Sequence, residues 1–246
     1  IEAGGNDTAR LGEHVARRIV DCHLATMARL DIRYELLAHE SDILRLHFWD
    51  RSFELMKERG VLRLESEGKN AGCWVLPMAE GDGEAIDEDK IIVRSNGTVT
   101  YTGKDIAYQL WKLGALDRDF RYKVQRTLAD GSKLWTTTSG AGQPDAPRFG
   151  HANAVYNVID VGQSYPQRVV KAGVRALGHA KGAEGSHHLA YEKVVLSPAT
   201  ARALGYEVKQ DEGAVKVSGR KGLGVKADDL IDALVAKARS EVDARD

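Results

Sequence analysis

Cysteine is scarce in this chain: Cys22 and Cys73 are the two among 246 residues. They stand far apart and no secretory pattern opens the sequence, so they read as reduced core thiols of a cytoplasmic protein rather than as a disulfide framework. Metal-ligand spacings are missing as well, and no resident metal is expected. No apolar run approaches the roughly 18 residues that a membrane helix needs, so no membrane partner is expected. An excess of one charge is also lacking. Thirty-five Lys and Arg oppose 36 Asp and Glu for a net charge of −1, which argues against nucleic-acid binding through a broad basic surface and leaves a local basic site open. There is no Walker-type loop and no internal repeat. The first residue is Ile1 rather than Met, and a chain opening IEAGGNDTARLG is expected to be a piece of a longer or processed protein.

What is present suffices for one large or two small domains with a core: 43% of residues are hydrophobic and 29% charged. Leu11, Val15, Ile19, Cys22, Met27 and Leu30 recur at helical period and predict a core-packing amphipathic helix. Ser41 is expected to cap a second helix running from Asp42 to Met56, which Gly60 ends. The nearby His14, His23, His39 and His47 carry no assigned chemistry. Val61 to Leu64 and Cys73 to Leu76 suggest a small hairpin closed by Pro77. The acidic, glycine-bearing stretch Glu80 to Asp89 then marks a solvated loop, whose register fails the calcium-loop pattern, and the main internal boundary.

Further on, Arg121 to Leu128 and Lys133 to Thr138 flank Asp130-Gly131 as an exposed hairpin. Val155 to Val161 reads as a buried strand of the parallel kind that ends in Gly162-Gln163-Ser164, before a helix begun by Pro166 and stopped by Gly178. His188 to Leu196 is another β-prone run. Lys226 to Val242 reads as an amphipathic helix with Leu230, Ile231, Leu234, Val235, Ala238 and Val242 inward. Strand and helix alternate through this half, which predicts a parallel α/β sheet with crossovers.

Local signals and site-like chemistry converge on Ile91 to Gly114. Two β-prone runs flank Asn96-Gly97, so Val99 to Thr102 is expected to be the strand that feeds a helix closed by Gly114. Thr102 and Asp105 have the spacing of a capping pair. Tyr101, one turn before Asp105, places a phenol beside a carboxylate at a strand-to-helix junction, where a cationic ligand would fit. The cap and the site remain alternative readings of Asp105.

A second stretch, KVSGRKGLGVKADDL, sets Lys216, Arg220, Lys221 and Lys226 among glycines ahead of a helix N-terminus. It is an anion site in outline, or else a basic surface loop capped by Asp228. Gly222 to Ala227 matches a G-x-G-x-x-A dinucleotide fingerprint but lacks a preceding buried strand and a following acidic strand. His187-His188 reads as a strand-borne structural pair.

The collinear order VRSNGTVTYTGKDIAYQLWKLG, NVIDVGQSYPQRVVKAGVRALG, HHLAYEKV and VSGRKGLGVKADDLIDAL resembles the arginyl-tRNA synthetase family over nearly the whole chain, and RYELLAHESDILRLHFWDRSFELMKERG looks like its inserted helical segment. The resemblance implies an α/β chain. Half of a class I synthetase nucleotide-binding (Rossmann-like) domain with parallel strands would span 90–246, preceded over 1–89 by a mostly helical segment with a small β-hairpin. It implies ATP-dependent activation of arginine and transfer to tRNA, with Mg2+ accompanying ATP. Tyr101, Asp105 and Gln163 match the residues that hold the substrate guanidinium, a rigid fork of donors that needs such acceptors. The loop 216–222 matches the family's signature loop, which implies catalytic roles for Lys216, Ser218, Arg220 and Lys221. His188, Gly219 and Gly222 fall to ATP. Gly219 stands where that loop has its second lysine, no His-x-Gly-His element is present, and the anticodon-binding helical domain is missing. The resemblance therefore implies an internal fragment, inactive alone. The alternatives are a non-catalytic arginine- or nucleotide-binding module and an unrelated nucleotidyl transferase.

Overall fold

The structure, a computed structural model, describes residues 5–78, 89–193, 195–203, 205, 207, 208, 213, 215, 216 and 225–245. In chain order its first elements are α1 (Asp7–Arg29), β1 (Leu36–Leu37), α2 (Glu40–Arg45), α3 (Phe48–Glu58), β2 (Arg63–Leu64), β3 (Trp74–Leu76) and β4 (Lys90–Val93). There follow α4 (Tyr101–Lys112), β5 (Arg121–Thr127), β6 (Lys133–Thr138), β7 (Val155–Asp160), α5 (Ser164–Ala176), α6 (Ala180–Glu184) and β8 (Ser186–Tyr191). The last are β9 (Val195–Leu196), α7 (Pro198–Ala203), β10 (Val215–Lys216) and α8 (Ala227–Asp243). They form two compact units, residues 34–191 and residues 1–33 with 192–246. The expected boundary at 80–89 lies almost wholly outside the described residues.

Three small sheets build the unit of residues 34–191: β1-β6-β5, β2-β3-β4 and β7-β8. The fold is α/β, with parallel pairing in β1-β6 and β7-β8 and antiparallel pairing elsewhere in this unit. The two turn-flanked hairpins occur as expected, β2 with β3 and β5 with β6. The second is not an exposed flap, because β1 adds to β6 and Leu134, Trp135, Thr136 and Thr137 are buried. The second helix is in fact two. His47 adopts a left-handed backbone between α2 and α3 (φ 58°), and His39 rather than Ser41 precedes α2. The α5 helix starts two residues before Pro166.

Ile106, Ala107, Leu110 and Trp111 recur at three to four residues along α4 and are buried, so one face of this helix belongs to the core. Gly173 makes room for it on α5: a Cβ there would lie 2.9 Å from Ile106 Cδ1. At its far end α4 closes with the two hydrogen bonds of a Schellman turn, Gly114 N–H to Trp111 O and Ala115 N–H to Leu110 O. The β7-β8 pair, with α5 and α6 as its crossover, is a βαβ unit. β7 is not buried on both faces as expected, since Tyr156 and Val158 are 60% and 65% exposed. Alternation puts these with His187 and Leu189 on the open face, while Asn157 points to the face that bonds α4 and α5.

In the unit of residues 1–33 and 192–246, β9 and β10 pair antiparallel. Arg29 of α1 bonds Asp228 and Asp232 of α8, and Thr26 donates to Asp228 at 2.6 Å. Asp228 is thus a helix-to-helix contact, not a cap. Neither helix buries its apolar stripe as expected: Leu11, Val15, Ile19, Leu30, Leu234, Val235 and Val242 are all exposed, and so is Cys22. Helical periodicity marks a face that can be covered, and among the described residues nothing covers these.

Gly114 has a left-handed backbone (φ +69°), and a Cβ on it would meet the His151 imidazole at 2.2 Å. Gly131 is also left-handed (φ +83°), with nothing within 4 Å of such a Cβ. Gly131→Ala should therefore cost only the backbone penalty of about 1–2 kcal/mol, and Gly114→Ala distinctly more. Urea denaturation of both variants checks this, and equal losses would show that His151 yields freely.

Candidate functional site

The strand that leads into α4 is shorter than the sequence suggests. A single bridge pairs Val93 with Val99, and the helix already starts at Tyr101. Thr100 occupies the capping position, yet its hydroxyl donates to the carbonyls of Ile91 and Ile92 at 3.2 and 3.1 Å instead of capping. Thr102 is buried inside the first turn. Asp105 comes five residues after Thr100, beyond the third helical position from which a capping carboxylate reaches back. The capping reading of Thr102 and Asp105 is thereby overturned.

Asp105 instead lines a cleft of about 740 Å3, together with Tyr101 and Gln163. Tyr101 is 80% exposed, its phenol standing free at the helix start. Gln163 reaches the cleft from the carboxyl end of β7, where a short 3-10 turn (Val161–Gln163) is held by Gly162 N–H donating to Asp160 at 2.8 Å. It immediately precedes α5 without making a capping bond. Thus the three residues expected to hold a guanidinium share one cavity.

Glu40, the first residue of α2, lines the same cleft. Its carboxylate lies 3.7 Å from Lys104 Nζ. The Asp105 carboxyl is open to the cleft on one side and crowded by protein on the other, and the loss of hydration holds its pKa above the usual carboxylate value. The charge of Glu40 pushes it further up, against the opposing pull of Lys112 and Lys104. Three carboxylates thus line one cavity, since Asp89, which pairs with Arg63, joins Asp105 and Glu40. Sequence inspection missed Glu40, which comes from far upstream, and no spacing signal links it to Asp105. Lys90 and Arg94 from the β4 region also line the cleft, with Lys90 5.0 Å above the Tyr165 ring.

The remaining expected residues lie elsewhere. His188 lines a separate cavity of about 230 Å3 and donates Nε2–H to Ile159 O at 3.1 Å. Lys216 is in β10, opposite Val195. The Lys216 side chain and Ser218, Gly219, Arg220, Lys221 and Gly222 lie outside the described residues. Among the described residues no group of three or more His, Cys, Asp or Glu is placed to hold a metal ion, and no helix is long and apolar enough to cross a membrane.

No protein-family model matches the chain. Individual proteins do. It is 35% identical over 247 aligned residues to the arginine--tRNA ligase of Thermococcus sibiricus, an alignment that covers 100% of this chain and 36% of that protein. The solved arginyl-tRNA synthetase of Thermus thermophilus superposes on 95% of this chain with a TM-score of 0.75 and 31% identity. The chain is homologous to a stretch of arginyl-tRNA synthetase. That stretch amounts to about a third of the synthetases' own length: 36% for the Thermococcus protein and 35% for a second relative, from Thermus thermophilus, which is 35% identical over 229 residues. Synthetase homology over the whole chain agrees with an internal segment of a longer enzyme.

A carboxyl whose pKa is raised on folding contributes to stability while protonated, and that contribution is lost as pH rises through its folded pKa. Asp105→Asn removes this titration. The melting temperature of the variant relative to wild type should be constant in acid, below the ordinary value of 3.8, and should climb as pH rises toward neutrality. A pH-independent difference would show that the Asp105 carboxyl is not perturbed.

Proposed function

We propose that the protein to which this chain corresponds joins arginine to tRNA at the expense of ATP, and that this chain supplies the pocket for the arginine side chain. The observation that carries the reading is the single cleft in which Tyr101, Asp105, Gln163 and Glu40 meet, with Asp105 short of a counter-charge. A guanidinium has five donors and no acceptor. It would relieve the repulsion between Asp105 and Glu40 and donate further bonds to the Tyr101 phenol oxygen and the Gln163 amide oxygen. The planar fork suits a carboxylate better than a lysine ammonium would, which gives the cleft a basis for choosing arginine.

The same reading makes the sheet elements part of a Rossmann-like nucleotide-binding domain. It assigns the loop 216–222 to the triphosphate, with Lys216, Ser218, Arg220 and Lys221 stabilising charge during adenylation, and His188, Gly219 and Gly222 to ATP. Mg2+ would arrive on the triphosphate rather than on a carboxylate cluster of this chain. Transfer to tRNA in the cytoplasm completes the proposal. Chemistry on ATP draws on parts of the synthetase beyond the third that this chain matches.

Calorimetry with L-arginine and citrulline tests the pocket. Wild type should bind arginine well ahead of citrulline, whose side chain is neutral. Asp105→Asn should weaken arginine about tenfold to a hundredfold, the value of a charge-assisted hydrogen bond of about 1.5–3 kcal/mol, and leave citrulline nearly unchanged. Glu40→Gln should cost less, since its side chain is 66% exposed and already shared with Lys104. The chain alone should give only background ATP-pyrophosphate exchange. An Asp105→Asn variant that prefers arginine as strongly as wild type does would defeat the assignment.

A further inference from the structure

The cavity of about 230 Å3 lies against the face of the β7-β8 pair that bonds α4 and α5, and its lining is distinct from that of the arginine cleft. None of its lining residues is acidic. Arg168 and Lys171 stand three residues, about one turn, apart on α5, and His188 and Ser186 come from β8.

Among the amide groups and Ser186 the acceptors are engaged and donors are left over, while the His188 ring, which donates through Nε2, keeps Nδ1 as an open acceptor. Asn157 Oδ1 accepts from Lys112 Nζ at 2.8 Å, and Gln167 Oε1 accepts from Asn157 Nδ2 at 2.8 Å. Ser186 Oγ accepts from Gln109 Nε2 at 2.8 Å and donates its own proton to Gly182 O at 2.7 Å. With its oxygen engaged, Gln167 is left with its NH2. Arg168 Nε is buried and has no hydrogen-bond partner among the described residues. Neither Arg168 nor Lys171 is within salt-bridge distance of a carboxylate there; the guanidinium of Arg168 has only the Tyr165 ring, 6.0 Å away. A buried donor without a partner costs free energy that a suitable acceptor would recover. The Lys112 ammonium, one hydrogen bond behind Asn157, adds positive potential from within the unit.

We propose that this cavity is a binding site for a phosphoryl group. Phosphate offers negatively charged oxygens that act only as acceptors toward cationic donors, and arginine and lysine together are its usual partners. Arg168 supplies the directed N–H groups, Lys171 the mobile charge and Gln167 a neutral donor. The site takes in His188, which the proposed function gives to ATP, and to that extent rests on that reading; it shares no lining residue with the arginine cleft. It is bounded by α5 and by the amino-terminal half of β8, whereas the guanidinium cleft opens at the carboxyl end of β7.

The test uses the whole 246-residue chain. Inorganic phosphate is titrated at fixed ionic strength and followed by phosphorus NMR and calorimetry, with AMP and adenosine as parallel arms. Saturable one-to-one binding of phosphate is expected. Lys171→Gln should weaken it about tenfold, the equivalent of one charge-assisted hydrogen bond, with an unchanged melting temperature in phosphate-free buffer. Arg168→Lys, which keeps the charge and removes the buried Nε–H, should weaken it as well. Asp105→Asn should leave phosphate affinity untouched, which separates this site from the arginine pocket whatever becomes of either. AMP binding tighter than phosphate while adenosine is silent would assign a nucleotide phosphate, and equal affinities a free phosphate. Absence of saturation by phosphate or AMP, full affinity in Lys171→Gln, or adenosine binding as tightly as AMP would overturn the proposal.

Discussion

Ile106 rests where Gly173 has no side chain, and that contact locks α4 against α5. With Ile106, Ala107, Leu110 and Trp111 turned to the core, the first turns of α4 have no freedom to rotate, and Tyr101 and Asp105 are held on the cleft side. Gln163 is placed by the other member of the same pair, since it sits at the junction of β7 and α5. One close helix approach thus fixes the relative position of residues that are far apart in sequence. A site carried on two locked helices keeps its spacing far better than one carried on loops.

The electrostatics of the cleft follow from the same scaffold. Asp105 loses part of its hydration, which raises its carboxyl pKa, and Glu40 arrives close enough to raise it further. Lys104 takes part of the charge of Glu40 from the side. The resulting local excess of negative charge contrasts with the donor-rich cavity beside α5, although the chain as a whole is nearly neutral. Opposite local charges in one unit of a chain with a net charge of −1 show how little the overall charge says about what each surface accepts.

Turn chemistry was the most legible part of the sequence. Asp130-Gly131 closes β5 to β6, and Gly60, Gly114 and Gly178 follow helices with positive φ, because glycine meets a local backbone demand that no distant residue alters. The parallel character of β7 was legible too, from an apolar run followed by a helix. What depended on distant partners was not. The stripes of α1 and α8 promised burial that the described residues do not provide. The pairing of β1 with β6 joins residues about a hundred positions apart, and Glu40 enters the cleft from another helix altogether. The break at His47 was hidden as well, since histidine carries little of glycine's signal. At the site, Tyr101, Asp105 and Gln163 could be named through resemblance and chemistry, whereas the capping role of Asp105 fell because the helix began two residues earlier than its residues suggested.

Two helices begin at the cleft, α4 at Tyr101 and α5 at Ser164, and neither Thr100 nor Gln163 caps its helix with a side chain. The aligned peptide dipoles make both starts partly positive. Both starts stand beside Tyr101 and Gln163, so in this cleft the helix dipoles oppose the negative charge of Asp105 and Glu40. A cation held there is held by side chains against the polarity of the backbone that carries them.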